Sequence, residues 1–407
     1  MIFYLFFLIL VFVLAFVNNK ISKKIFYPPL YLCFLWIFFV FLHLIYNLLL
    51  SYKPNVLSAK VLSYFLCVIL LFSFGGIIAR GLNKNRSNYR VKMVLNKRVL
   101  KILFYLNIVF FLKFILTIKS ITGSYFDLLL FRYYTSVEGV DIGLIKYSIT
   151  FAVFSMLLFL TDFYNRDIKS LKLKIRLGVM FLIAFSFAVL SASRGTFLFL
   201  LISCLGVYSI YNKINIKLVL KTVGITLAIF ITMATIMKKS MPNEHNSSKS
   251  YSAIDKVEYL LYSYGSLPLS AFDKFLNESY TITYGDILLR FPKAILYKVG
   301  VSDTSPGNLV ERYVKVPDLV NVHTAFYKLI KDFGVIYSLL FMFLIGFLHT
   351  HFFIGANKSF GKLIGYSTML FPLTMTFFEE NYVSILSTWI QLGLFVYMAK
   401  YFIKYEY

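Results

Sequence analysis

Acidic residues are scarce in this 407-residue chain: 18 Asp and Glu stand against 42 Lys and Arg, for a formal net charge of +24. Cysteine is scarcer, with three residues, and Trp occurs twice. Each shortage removes a class of function. Cys33, Cys67 and Cys204 all fall inside apolar runs, so they offer neither an outside disulfide framework nor a thiolate metal site. With few carboxylates and 59% hydrophobic residues, no ordinary soluble surface can be built. What the chain has is apolar bulk, including 45 Phe and 31 Tyr, gathered into runs of about twenty residues. At ~1.5 Å per residue such runs cross a ~30 Å hydrocarbon core. The fold class expected is therefore an all-α polytopic membrane protein.

Eleven spans are predicted: 2–17, 29–50, 61–79, 99–118, 144–164, 177–192, 196–211, 218–237, 330–353, 363–378 and 383–403. They divide the chain into 1–237 with eight spans and short loops, 238–329 as one large loop, and 330–407 with three more spans. No basic residue precedes the first span, whereas Lys20, Lys23 and Lys24 follow it, so it reads as a helix inserted with its N-terminus outside rather than as a signal peptide. Alternate loops then hold 23 basic residues against three acids (Asp162, Asp167 and Glu406), and the opposite set holds 18 against 15. The positive-inside rule assigns the first set to the cytoplasm, together with the C-terminus. The high net charge is thus a sidedness signal and gives no reason to expect nucleic acid. In the large loop, Ile254, Val257, Leu260 and Leu261 share one helical face and predict an amphipathic helix on the membrane or capping the bundle.

The basic side has no paired Asp-x-Asp and no Gly-rich Lys-Ser/Thr loop, so Mg²⁺-dependent nucleotide chemistry is not expected there. Attention moves to the outer side. Arg194 lies in Ser191-Ala192-Ser193-Arg194-Gly195, a very short break between two spans. A guanidinium at membrane depth needs a partner, and its fork suits a phosphate or diphosphate as well as a structural carboxylate. Arg290 and Lys293, in an apolar segment after Tyr284-Gly285-Asp286, face headgroups or a lipid phosphate on the same argument. Arg132 of the smaller outer loop is a weaker case, and Arg312 adjoins Glu311 and can simply pair with it. Of five histidines, His323 enters a span from the outer side, where a neutral imidazole can take a proton from a hydroxyl or serve as a structural hydrogen-bonding group. Glu379 and Glu380 at the outer end of the tenth span can bind sugar hydroxyls, act as base or pair with arginines. Eight tyrosines between 251 and 313, Tyr284 among them, can platform sugars or mark the membrane interface.

In Ser193-Arg194-Gly195, in Thr283-Tyr284-Gly285 followed by Pro292, and in His323 followed by Asp332-Phe333-Gly334, the chain resembles the O-antigen polymerases, the oligosaccharide repeat-unit polymerases related to the O-antigen ligases. The span number and the single large late loop match too. His323-Thr324 replaces the His-Asn of the ligases, which favours a polymerase. The resemblance implies a fold like the lipid-dependent membrane glycosyltransferases and a multi-pass protein of the bacterial cytoplasmic (inner) membrane. It also implies transfer of a sugar chain between polyprenyl-diphosphate carriers without metal or cofactor. Its partners would be those lipid-linked oligosaccharides, membrane lipid, a flippase and a chain-length regulator. On this implication Arg194 and Arg290 stabilise the leaving diphosphate, with Arg132 or Arg312 as helpers, and His323 is the base or orienting partner. Two rival readings stand beside it. A flippase for lipid-linked oligosaccharide would line its spans with cations, and only Lys113 lies clearly within one. A polysaccharide acyltransferase would use a membrane-embedded His, for which His43 is available.

Overall fold

A computed structural model describes residues 1–83, 91–136, 138–191, 193–215, 252–303 and 313–406, with eight further positions between 217 and 232. The described chain is mainly helical, and its four strands form only two short two-stranded ladders. Among the described residues, eight helices are long and apolar enough to cross a membrane. These are α1 (Ile2–Ile21), α2 (Pro28–Leu48), α3 (Ala59–Leu82), α4 (Lys97–Thr122), the 143–165 stretch containing α6 (Ser148–Asn165), α7 (Leu171–Leu190), α8 (Arg194–Tyr211) and α12 (Phe326–Gly355). Between them lie α5 (Leu128–Ser136), α9 (Ala253–Gly265), α10 (Leu267–Asn277) and α11 (Arg290–Lys298).

Polar residues set the ends of these apolar helices. Ser58, Asn96, Ser170 and Ser193 accept backbone N–H bonds as N-caps of α3, α4, α7 and α8, and prolines occupy the first turn of α2, where no N–H is needed. Ser252 and Asp255 form a reciprocal capping box at the start of α9. A helix forms where the amphipathic one is expected, but the face predicted for it divides: Leu260 is buried and Ile254 is exposed.

Two expected spans come out short. The 363–378 run forms α13 (Phe360–Thr374) and the 383–403 run forms α14 (Leu386–Ala399). At 15 and 14 residues they extend about 22 and 21 Å, less than a hydrocarbon core. Pro372 lies inside α13, and an irregular segment follows that hydropathy alone reads as span. The 218–237 run falls mostly outside the described residues.

The chain forms two compact units, the first drawing on all three sequence blocks and the second on the first and last. The first holds 1–86, 238–354 and 372–387; the second holds 87–237, 355–371 and 388–407. In the first unit α3 and α12 run in the same direction. The Tyr64 hydroxyl meets Ser338 Oγ at 2.8 Å, and further along Gly75 packs on Phe343 while Gly346 packs on Phe72. A Cβ on either glycine would collide with the facing backbone, so this close crossing depends on the missing side chains. Trp36, Phe65, Phe272 and Phe326 stack in the same core.

In the second unit the basic loops converge. Strand β1 (Lys92–Leu95) pairs antiparallel with β4 (Ile403–Glu406), Lys92 opposite Glu406. Val91 N donates to Asn357 O, Lys92 binds Asp167 at 2.8 Å, and Leu95 N donates to buried Asp162. Arg166 clamps the corner, its Nε on Asp162 and its Nη2 on Leu95 O. The loops around 92, 166, 357 and 404, all in the basic set, therefore share one end of this unit.

Candidate functional site

Among the candidates named from sequence, His323, Arg290, Tyr284, Lys293, Glu379 and Glu380 belong to the first unit, and Arg132 and Arg194 to the second. Arg312 lies outside the described residues, as does His245.

His323 precedes the first turn of α12 and is only 6% exposed. Its ring stacks on Tyr327 with centroids 4.1 Å apart and planes 16° from parallel. Tyr327 in turn meets Phe275 edge-on, and its hydroxyl accepts from Lys331 Nζ at 2.8 Å. The imidazole Nδ1 is buried and has no hydrogen-bond partner among the described residues, and neither has Thr324 Oγ1 beside it. Such atoms cost about 1–3 kcal/mol each unless something supplies the bond. Burial, and then the ammonium groups of Lys331 and Lys328, hold the His323 pKa below its ordinary value. The ring is a neutral base with an open nitrogen, next to two cations.

Glu379 shares Lys328 with His323 as a charged neighbour. Burial raises its pKa, while Lys328 and the amide of Asn381 oppose that rise. The segment carrying it is fastened to the His323 loop, because Ala325 N donates to Thr376 O at 3.0 Å. Glu380 has a different role. Its carboxylate accepts from the backbone N–H groups of Tyr382, Val383 and Ser384 and from Ser384 Oγ, all within 2.8 Å. It closes the turn after α13, and its oxygens are already taken. From that turn the Tyr382 hydroxyl reaches His349 Nε2 at 3.0 Å, fifteen residues or about 22 Å along α12 from Gly334. The 378–385 segment is thus non-helical backbone running deep beside a spanning helix, allowed because protein groups satisfy it.

The Tyr284-Gly285 turn is held by one buried carboxylate. Asp332 accepts from Thr283 Oγ1, from Ile287 N at 3.2 Å and from Leu288 N at 2.7 Å. Tyr284 and Gly285 both have positive φ, 49° and 87°, a strained setting for a tyrosine. The Tyr284 side chain is 81% exposed. Next to Asp332, Gly334 (φ 84°, ψ 171°) breaks α12 into a short first segment and a long second one, a conformation that glycine alone adopts freely. The turn leads directly into α11, whose first residue is the half-buried Arg290. Lys293 pairs with Asp286 across the turn.

In the second unit Arg194 is the first residue of α8 and is buried. Ser193 Oγ accepts from Thr196 N at 3.4 Å, so the Ser-Arg-Gly stretch is a helix cap that starts a span with a cation. A positive charge at the positive end of a helix dipole favours a nearby anion. Arg132 is half-buried on α5, beside Phe131, which packs on Phe114.

Sequence reasoning passed over Lys328 and Lys331, whose spacing places them one helical turn apart at the head of α12. It also held His43 open as a catalytic group. Both His43 ring nitrogens are engaged, Nε2 with Asn55 O at 3.0 Å and Nδ1 with Ser266 Oγ at 2.7 Å, so this ring clamps a loop to the α9–α10 corner.

Compared with protein-family models, curated proteins and solved structures, the chain matches none.

Proposed function

We propose that this protein is a glycosyltransferase of the bacterial cytoplasmic membrane that polymerises polyprenyl-diphosphate-linked oligosaccharide repeat units at the outer face, without metal or cofactor. The observation that carries this reading is buried, neutral His323 with an open ring nitrogen, flanked by Lys328, Lys331 and Glu379. In the reaction a hydroxyl oxygen of the acceptor unit attacks the anomeric carbon of the donor chain. The bond from that carbon to the diphosphate oxygen breaks, its electron pair leaves with polyprenyl diphosphate, and the hydroxyl proton passes to His323. Negative charge grows on the departing diphosphate, where preorganised cations do the most. Arg290 takes that role here, and Arg194 and Arg132 carry the same assignment from the resemblance described above; Tyr284, Lys293 and Glu379 are assigned to substrate contact. The topology belongs to the same proposal: about eleven membrane-embedded segments, of which α13 and α14 are shorter than a full span, with the N-terminus outside, the C-terminus cytoplasmic, and an outer loop over 238–329.

The occupied nitrogens of His43 weigh against an acyltransferase. The decisive measurement is the surface polysaccharide on a gel after gene deletion. A ladder collapsing to single repeat units is expected; an unchanged ladder overturns the proposal, and repeat units trapped inside the cell indicate a flippase. His323→Ala, Arg290→Ala and Arg194→Ala at normal membrane levels should each shorten the polymer, and wild-type length in all three removes the residue assignments. Arg290→Lys should fail with them where bidentate geometry is needed.

A further inference from the structure

Helix α11 has no buried residue, although it belongs to a well-packed unit. At ~100° per residue, Phe291, Pro292, Ile295 and Leu296 fall on one side of it, and Arg290, Lys293, Tyr297 and Lys298 on the other. The apolar side continues past the helix end into Val299 and Val301, which are 63% and 71% exposed. An apolar face left open beside a row of cations, on a helix too short to span, has the composition of a bilayer-surface element.

Its height relative to the spanning helices is fixed by the lead-in turn. Thr283 N donates to Lys331 O at 2.9 Å, and Asp332 holds Thr283, Ile287 and Leu288. The turn therefore sits at the Gly334 break. From that break, residues 335–355 of α12 run about 31 Å, the thickness of a hydrocarbon core, with Ile336, Tyr337, Leu340 and Leu344 facing outward along them. Residue 334 is accordingly at the boundary between acyl chains and headgroups, and α11 starts from that level.

We propose that Arg290–Lys298 is a bilayer-docking helix whose Phe291–Ile295–Leu296–Val299 side enters the edge of the acyl layer and whose Lys298 meets the phosphates of anionic lipid headgroups. The occupant is the bilayer itself, chosen by charge complementarity and by the level at which Asp332 tethers the turn. No assumption about the sugar-transfer reaction enters this assignment.

The test uses the full chain in nanodiscs of phosphatidylcholine with or without phosphatidylglycerol. In a background with Cys33, Cys67 and Cys204 changed to Ser, a fluorophore is attached through Leu296→Cys or Lys298→Cys. The label at 296 should be quenched several-fold more by acyl-chain nitroxide lipid than by aqueous iodide, and the label at 298 the reverse, with phosphatidylglycerol widening the contrast. Equal iodide access at both positions overturns the docking. Should the cysteine-free chain fail to fold, wild-type protein irradiated with diazirine-bearing lipid gives the same answer. Adducts within 291–299 support the helix in the acyl edge, and adducts confined to the spanning helices overturn it.

Discussion

Two carboxylates in each unit serve different ends. In the second, Asp162 and Asp167 face cations, Arg166 and Lys92, and the result ties loops together at a basic end. In the first, Glu380 and Asp332 spend their oxygens on backbone N–H and hydroxyl groups and hold irregular turns in place. The cations near them, Lys328 and Lys331, are left close to a neutral histidine. One arrangement neutralises charge to fix an anchor. The other shapes backbone with acids and gathers Lys328 and Lys331 with Glu379, Tyr327 and His323, which distinguishes a structural end from a candidate site.

The comparison breaks most visibly at its buried members. Glu380→Ala leaves three backbone N–H groups without an acceptor and should cost roughly 3 kcal/mol or more, read as loss of folded protein in detergent thermal melts. Asp162→Ala strands Arg166 and Leu95 N and should fall near 3–5 kcal/mol by the same measurement. A smaller cost, within about 1 kcal/mol, is expected from Lys92→Ala, because the Lys92–Asp167 pair is exposed. A large loss there would remove the distinction between buried staples and surface pairing.

Under the proposed mechanism His323 is a base in its neutral form, which is complete above its pKa and lost as pH falls through it. Burial, Lys331 and Lys328 place that pKa below the ordinary ~6.5, so the polymerisation rate should show its acid-side half-point below that value. Lys331→Gln removes one depressing charge and should move the half-point upward. A profile centred near 6.5 in the wild type, unmoved by Lys331→Gln, would take His323 out of the role of base.

Much of the fold was legible because length and hydropathy are additive along the chain. The boundaries of α6, α7 and α8 lie within a few residues of expectation, except at the start of α7. The 363–403 stretch was not legible. Its two apolar runs read as spans, yet Pro372 and the self-contained bonding of Glu380 support a break that hydropathy does not register. The site was half legible. His323 and Glu379 stand out as titratable groups at a span end, but burial, the stacking on Tyr327 and the approach of Lys328 arise only when 275, 323–331 and 376–380 fold together.

The pairing of β1 with β4 sets a clock on synthesis. Some three hundred residues separate the two strands, and at about 5–20 residues per second the ribosome needs roughly 15–60 s to deliver the partner. Throughout that interval Lys92–Leu95 offers an unsatisfied edge, so closure of this ladder is among the last events of biogenesis. A chain stalled before residue 403 carries that open edge as the mark of an unfinished molecule.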